Sequence, residues 1–403
     1  MKFFKLFFII IIACNSLVVV AQRKDISQAK QLIKRGNNLE QAEESMRKLL
    51  KDSTNRKNEK IWLTLFDAIR KQYEQGNEQL YLKQPYDTAK LFILTKKMFD
   101  VMTAFDSIDA QPDKKGQIKF KYRDAHAQYL KQFRPNLFNG GSYFNHKQKF
   151  RDAYDLYNTY IDCAYQPLFQ KYHFDKSDKL LPEASYWAAY CAYKLHDYQA
   201  TLKHAPLALK DSVHHVYMLQ YLAETYKEKK DTVLYLNVLK DGFKSYPNFA
   251  FFFPRLVDYY VQNKDFSTAL DVINKGLEKD STNHLYLFAK STVLLNTGNY
   301  DECISICDKL ISEDEHTVEP YLNAGLAYFN KAVVLDKETI LSRKQRQQIL
   351  DYYHKAMPYL ERYRELEPNM QEKWSLPLYT IYLNLNMGTK FDEIDKLING
   401  SKK

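Results

Sequence analysis

Between Leu181 and Phe329 the chain repeats itself every 34 residues. Asp197, Asp231, Asp265 and Asn299 stand one period apart, and Tyr198, Thr232, Phe266 and Tyr300 follow them. Upstream, mostly small residues recur at Ala189, Ala223, Val257, Ser291 and Gly325, and three places later come Ala192, Tyr226, Tyr260, Leu294 and Tyr328. Downstream, Ala208, Gly242 and Gly276 precede Leu209, Phe243 and Leu277. A constant period of this length means stacked supersecondary units, none of which can bury its apolar face alone.

The units are helical. Only 11 glycines and 12 prolines punctuate 403 residues, below the usual share of about 7% and 5%, so the connections are short and a turn-rich sheet protein is excluded. Charged residues at 27% and aromatics at 15% exclude a disordered chain. The 32 tyrosines predict aromatic packing between helices. Pro182 suits the first turn of a helix. The recurring Asp or Asn suits the N-cap of the second helix in each unit, where its side chain accepts from free backbone N–H groups.

Residues 22–180 carry helical periodicity with irregular spacing. Apolar faces recur over 25–35, 39–50, 59–73, 86–106, 118–133 and from Phe150 towards Pro167. The stretch 134–147, with Pro135, Gly140 and Gly141, is expected to be an inserted loop. Residues 181–403 form the regular array, with an insert at 331–350 that is expected to lengthen two helices, a basic partner-binding arm with Lys331, Lys337, Arg343, Lys344 and Arg346 being the alternative.

At these positions the chain resembles the tetratricopeptide repeat family. Tyr321, Ala324, Gly325 and Tyr328 match its first helix; Phe266, Ala269, Ile273 and Gly276 match its second; Pro247 and Pro368 match its terminal proline. Lys290 departs from an expected leucine, and Thr201 and Tyr235 depart from an expected alanine. The resemblance implies an all-α, right-handed superhelical solenoid of antiparallel helix pairs that binds a protein or peptide. The family's two-carboxylate clamp is absent, because Tyr186, Tyr190, Tyr221, Glu319 and Asn323 hold the matching places. Capture of an acidic chaperone tail is therefore not implied.

Residues 1–21 read as a signal peptide. Lys2 and Lys5 precede the apolar run Phe7–Ala13, and Val19-Val20-Ala21 offers a cleavage site before Gln22. Export to the periplasm or to the outer membrane is expected, with a lipid anchor at Cys14 as the alternative. Met387–Ile398 resembles the closing segment of exported repeat proteins of Bacteroidetes-type bacteria, and Gln22 fits that origin. Loss of residues 1–21 lowers the net charge from +10 to +8. The cations are interleaved with acids, so no nucleic-acid partner is expected.

No catalytic, metal or cofactor motif occurs, so neither an enzyme nor a cofactor is expected. Cys303 and Cys307 are one helical turn apart without a nearby CxxC or histidine, and they read with Cys163 and Cys191 as buried thiols. His214-His215 lacks a third ligand. Asn139-Gly140-Gly141-Ser142 reads as a plain loop, not an anion cradle. The Asp-Ser and Asp-Thr pairs at Asp52, Asp87, Asp106, Asp211, Asp231 and Asp280 read as helix caps, although they resemble O-glycosylation acceptors of Bacteroidetes-type periplasmic proteins.

Binding is left to the faces of the first helices that the repeat does not use. By helical geometry these carry Tyr186, Tyr190 and Tyr193, then Gln220, Glu224, Lys227 and Asp258. Phe288, Thr292, Leu322, Leu326 and Phe329 share that face, and Gln262, Asn296 and Asn330 form an amide ladder at one-period spacing. Amides bind extended backbone, and tyrosines add contact area at low entropic cost. A non-enzymatic scaffold or adaptor is expected, with a carbohydrate-binding accessory protein as the alternative.

Overall fold

A computed structural model describes residues 22–113, 115–338 and 340–400. The expected signal peptide and Cys14 lie outside them. Among the described residues every regular element is helical, and no helix is long and apolar enough to cross a membrane. The chain divides into two compact units, one ending at Val238 and one beginning at Leu239.

The first unit holds α1 (22–35), α2 (Leu39–Lys51), α3 (Glu59–Tyr81), α4 (Thr88–Asp109), α5 (Arg123–Lys131), α6 (Arg134–His146) and α7 (Phe150–Asp162). The single turn α8 (Phe174–Ser177) precedes the pair α9 (Leu181–Lys194) and α10 (Tyr198–Ala208), then α11 (His215–Glu228) and the start of α12 (Thr232–Ser245). Successive helices pack on one another from α2 to α5, α6 packs on α7, α10 packs on α11, and α9 packs on both α10 and α7.

Two expectations for this unit are overturned. Residues 134–147 are not a loop: they form α6, with Pro135 in its first turn. Gly140 and Gly141 are buried inside that helix, where an added Cβ would lie 2.9 Å from Phe92 and 2.7 Å from Tyr157. The glycines serve close approach to α4 and α7, and a turn was the wrong reading of them. Further back, the helix expected from residue 118 begins only at Arg123. The Asp109 carboxylate accepts from the backbone N–H groups of Lys121, Tyr122 and Arg123 at 2.9–3.0 Å, holding the approach out of helical conformation.

The second unit holds the rest of α12, then α13 (Phe252–Gln262), α14 (Phe266–Lys279), α15 (His284–Thr297) and α16 (Tyr300–Glu313). After these come α17 (Glu319–Asp336), α18 (Arg343–Leu366), α19 (Gln371–Asn384) and α20 (Gly388–Gly400). Residues 331–350 span the end of α17, a short connection and the start of α18. A capping box starts α18: Ser342 and Gln345 each bind the other's backbone N–H.

The period resolves into duties. Asp197, Asp231 and Asp265 cap their helices, accepting from Ala200, Leu234 and Thr268 N–H at 3.0–3.1 Å. Asn299 does not cap; its Nδ2 donates to Thr297 Oγ1 instead. Ala189, Ala223 and Ser291 are completely buried. Immediately before each capping position the backbone turns left-handed, at His196, Lys230, Lys264 and Gly298, with φ between 56° and 80°. The αL link closes the turn between the helices of a unit, and only one of the four is a glycine. Of the six Asp-Ser/Thr pairs, the aspartates at 52, 87, 211, 231 and 280 accept from a backbone N–H two or three residues on. Asp106 pairs with Arg123 instead, at 2.7 Å. The four described cysteines are buried free thiols.

Candidate partner-binding surfaces

In the first unit, α9 and α11 are successive first helices, and their seam is aromatic. Tyr221 of α11 is its centre. The ring of Tyr193 stacks on it at 4.6 Å, Tyr190 lies 5.7 Å away, and Tyr186 lies 6.2 Å away in parallel. Tyr186 in turn stacks on His214 at 4.2 Å, and His214 Nδ1 lies 2.6 Å from Asp211 Oδ2. The Tyr193 hydroxyl donates to the Glu224 carboxylate. Burial, then that carboxylate, pushes the Tyr193 phenol well above its usual range, so it remains a donor.

This geometry corrects the position of Tyr186, which is only 4% exposed. A helical wheel puts it with Tyr190 and Tyr193, but the next first helix closes over it with Tyr221 and His214. Tyr190, Tyr193, Gln220 and Glu224 are half-buried and Lys227 is exposed. Tyr221 was not among the expected site residues. It stands one period after Trp187, so the recurrence of a large aromatic at that register was the available signal.

In the second unit, Asp258, Gln262 and Asn296 are exposed and Asn330 is half-buried. Asn296 Nδ2 donates to Thr292 O, one turn back on α15, at 2.8 Å. Asn384 repeats this on α19, donating to Thr380 O at 2.8 Å. A carbonyl oxygen can only accept, so the amide nitrogen must face the helix. The Oδ1 of each asparagine is thereby left as the acceptor for something else. Asn384 was missed because 54 residues, not 34, separate it from Asn330; the insert shifts the numbering while the stacking continues. Asn323, by contrast, is buried and donates to Ser291 Oγ and Thr292 Oγ1 at 3.0 Å, which ties α17 to α15.

Capped helix pairs on a 34-residue register, close-packed at small residues and, among the described residues, stacked without strands, define the class: an all-α solenoid of the tetratricopeptide type. No known protein-family profile matches the chain. It is similar to Hsp70-Hsp90 organizing protein 2 of Arabidopsis thaliana, 30% identical over 96 residues, which is 24% of this chain and 17% of that protein. It is also similar to the Hsp70-Hsp90 organizing protein of Triticum aestivum, 33% identical over 76 residues, 19% of this chain and 13% of that protein. The chain thus spans less than a fifth of the length of these relatives. Among solved structures, the C-terminal part of a TPR repeat-containing protein from Cytophaga hutchinsonii is 14% identical with a TM-score of 0.43, covering 64% of this chain and 92% of that one. A tetratricopeptide repeat protein from Parabacteroides merdae is 16% identical with a TM-score of 0.37, covering 68% and 100%.

Proposed function

We propose that the chain is a non-enzymatic interaction scaffold of the cell envelope that holds an extended protein segment on the first-helix face of its repeats. The observation that supports this most is the pair Asn296 and Asn384. Their amides are held by their own helices with the oxygens left to accept. An extended backbone supplies N–H donors at regular intervals, which is the chemistry such acceptors meet. Envelope residence is supported by the basic start, apolar run and Val19-Val20-Ala21 of the sequence.

The organizing proteins to which part of the chain is similar carry the names of two chaperones, but an acidic chaperone tail is not the partner proposed. At the matching places Tyr186 and Asn323 are buried, and Glu319 faces Lys373 at 3.4 Å.

The test is a photo-crosslinking amino acid placed at Asn296, at Asn384 and, as a control on a second helix, at Lys309. The first two should capture the same protein from intact cells and the control should not. Equal capture at all three sites, or capture of glycan without protein, sinks the reading. Intact mass of the purified chain should show Gln22 as the first residue; a lipid-modified Cys14 as the first residue would show anchoring instead.

A further inference from the structure

We propose that the slot between α12 and α14 in the second unit docks an amphipathic protein helix with an acidic edge towards α12. This goes beyond the first-helix surface, because the slot opens between two second helices, with α13 as its floor. Its volume is about 680 Å³, within the roughly 300–1,000 Å³ of ordinary ligand sites. The floor is apolar, with Phe243, Leu256, Tyr260 and Val272.

The α12 rim is cationic, while the α14 rim mixes Lys275 and Lys279 with Asp271 and Glu278. Lys240 and Lys244 stand one turn apart on α12, and Lys275 and Lys279 stand one turn apart on α14. All four are exposed. Lys275 is held by Asp271 at 2.7 Å. Among the described residues no carboxylate lies within ion-pair distance of Lys240, Lys244 or Lys279.

The occupant follows from this layout. Two lysines one turn apart along the α12 rim of an apolar trough complement an apolar stripe with carboxylates one turn apart along one edge, which an acidic amphipathic helix presents. A single-headed anionic amphiphile would need cations at one end only. Exposed ion pairs are individually weak and screened by salt, so the apolar stripe supplies affinity while the lysines select the sign of the partner.

The experiment measures fluorescence anisotropy of a labelled helical peptide with a leucine stripe flanked along one edge by glutamates, titrated with the full chain. The glutamate peptide should bind, its lysine-flanked counterpart should not, and added salt should weaken binding. Lys240→Glu with Lys244→Glu should weaken binding by about tenfold or more with the thermal melt retained. Val272→Trp, which fills the floor, should abolish it. Asn296→Ala should leave it unchanged, which separates this site from the first-helix surface. The proposal is overturned by failure of the glutamate peptide to bind, or by equal binding of both peptides. It is equally overturned if laurate alone occupies the slot, or if the charge reversal dissolves a dimer of the chain, which would make the slot a self-interface.

Discussion

Arg134 Nη1 lies 2.6 Å from Asp178 Oδ2, with both side chains nearly buried, at 7% and 11% exposure. The same guanidinium sits over the ring of Tyr160 at 3.7 Å and donates to the Tyr160 carbonyl, while the Tyr160 hydroxyl donates to Asp178. One ion pair thus joins the start of α6, the body of α7 and the connection into α9. Removing one partner of a buried pair leaves the other charge uncompensated. Arg134→Ala is expected to destabilise the first unit by about 3–5 kcal/mol, and Arg134→Lys to recover part of that. Urea unfolding followed by circular dichroism measures it; a loss below about 1 kcal/mol, the value of a surface pair, would contradict the role assigned here.

Gly325 tests the close packing of the repeat. A Cβ there would lie 2.6 Å from Leu360 Cγ and 3.3 Å from the Leu360 backbone nitrogen, and Leu360 is fully buried. Gly325→Ala is expected to cost about 1–3 kcal/mol by overpacking, despite the better helix propensity of alanine. A rise in the unfolding midpoint would show that α17 and α18 separate freely.

Lys264 and Gly298 occupy the same register position one period apart, with φ of 59° and 80°. A residue with a Cβ is strained there by about 1–2 kcal/mol, part of which is offset by the extra freedom glycine gives the unfolded chain. Lys264→Gly should therefore stabilise by about 0.5–1 kcal/mol, and Gly298→Ala should destabilise by a similar amount. Thermal shift assays on both variants decide the sign.

His204 predicts a pH dependence. It is 3% exposed, its Nε2 lies 3.1 Å from Asn158 Oδ1, and burial, with Lys203 adding to it, lowers its pKa from 6.5 to about 4. Between those values the unfolded chain binds the proton and the folded chain does not. Stability therefore falls as pH drops from 6.5 towards 4, by up to about 1.4 kcal/mol per pH unit, and this contribution is flat above that window. In His204→Gln the slope of melting temperature against pH between 4 and 6.5 should be shallower. An unchanged slope would assign the acid sensitivity to other groups.

Much of this architecture was legible in the residues alone. The period, the caps at Asp197, Asp231 and Asp265 and the buried alanines follow from patterns local to one or two helices. Spacing along a helix states which side chains share a face, and the composition states that the faces are helical. Which face stays open is a different matter. Tyr186 shares a stripe with Tyr190 and Tyr193, yet it is buried because the distance to α11, with Tyr221 on it and His214 just before it, is set by packing across the seam. Gly140 and Gly141 look like a turn until α4 and α7 press against them. Asn384 joins the asparagine pattern because stacking continues through an insert that breaks the numbering, and the lysine-rimmed slot exists because two second helices stand apart over α13. In each case the chain determines what a helix carries, and only the tertiary structure decides how closely its neighbour approaches, since that depends on the combined volumes of side chains far apart in sequence.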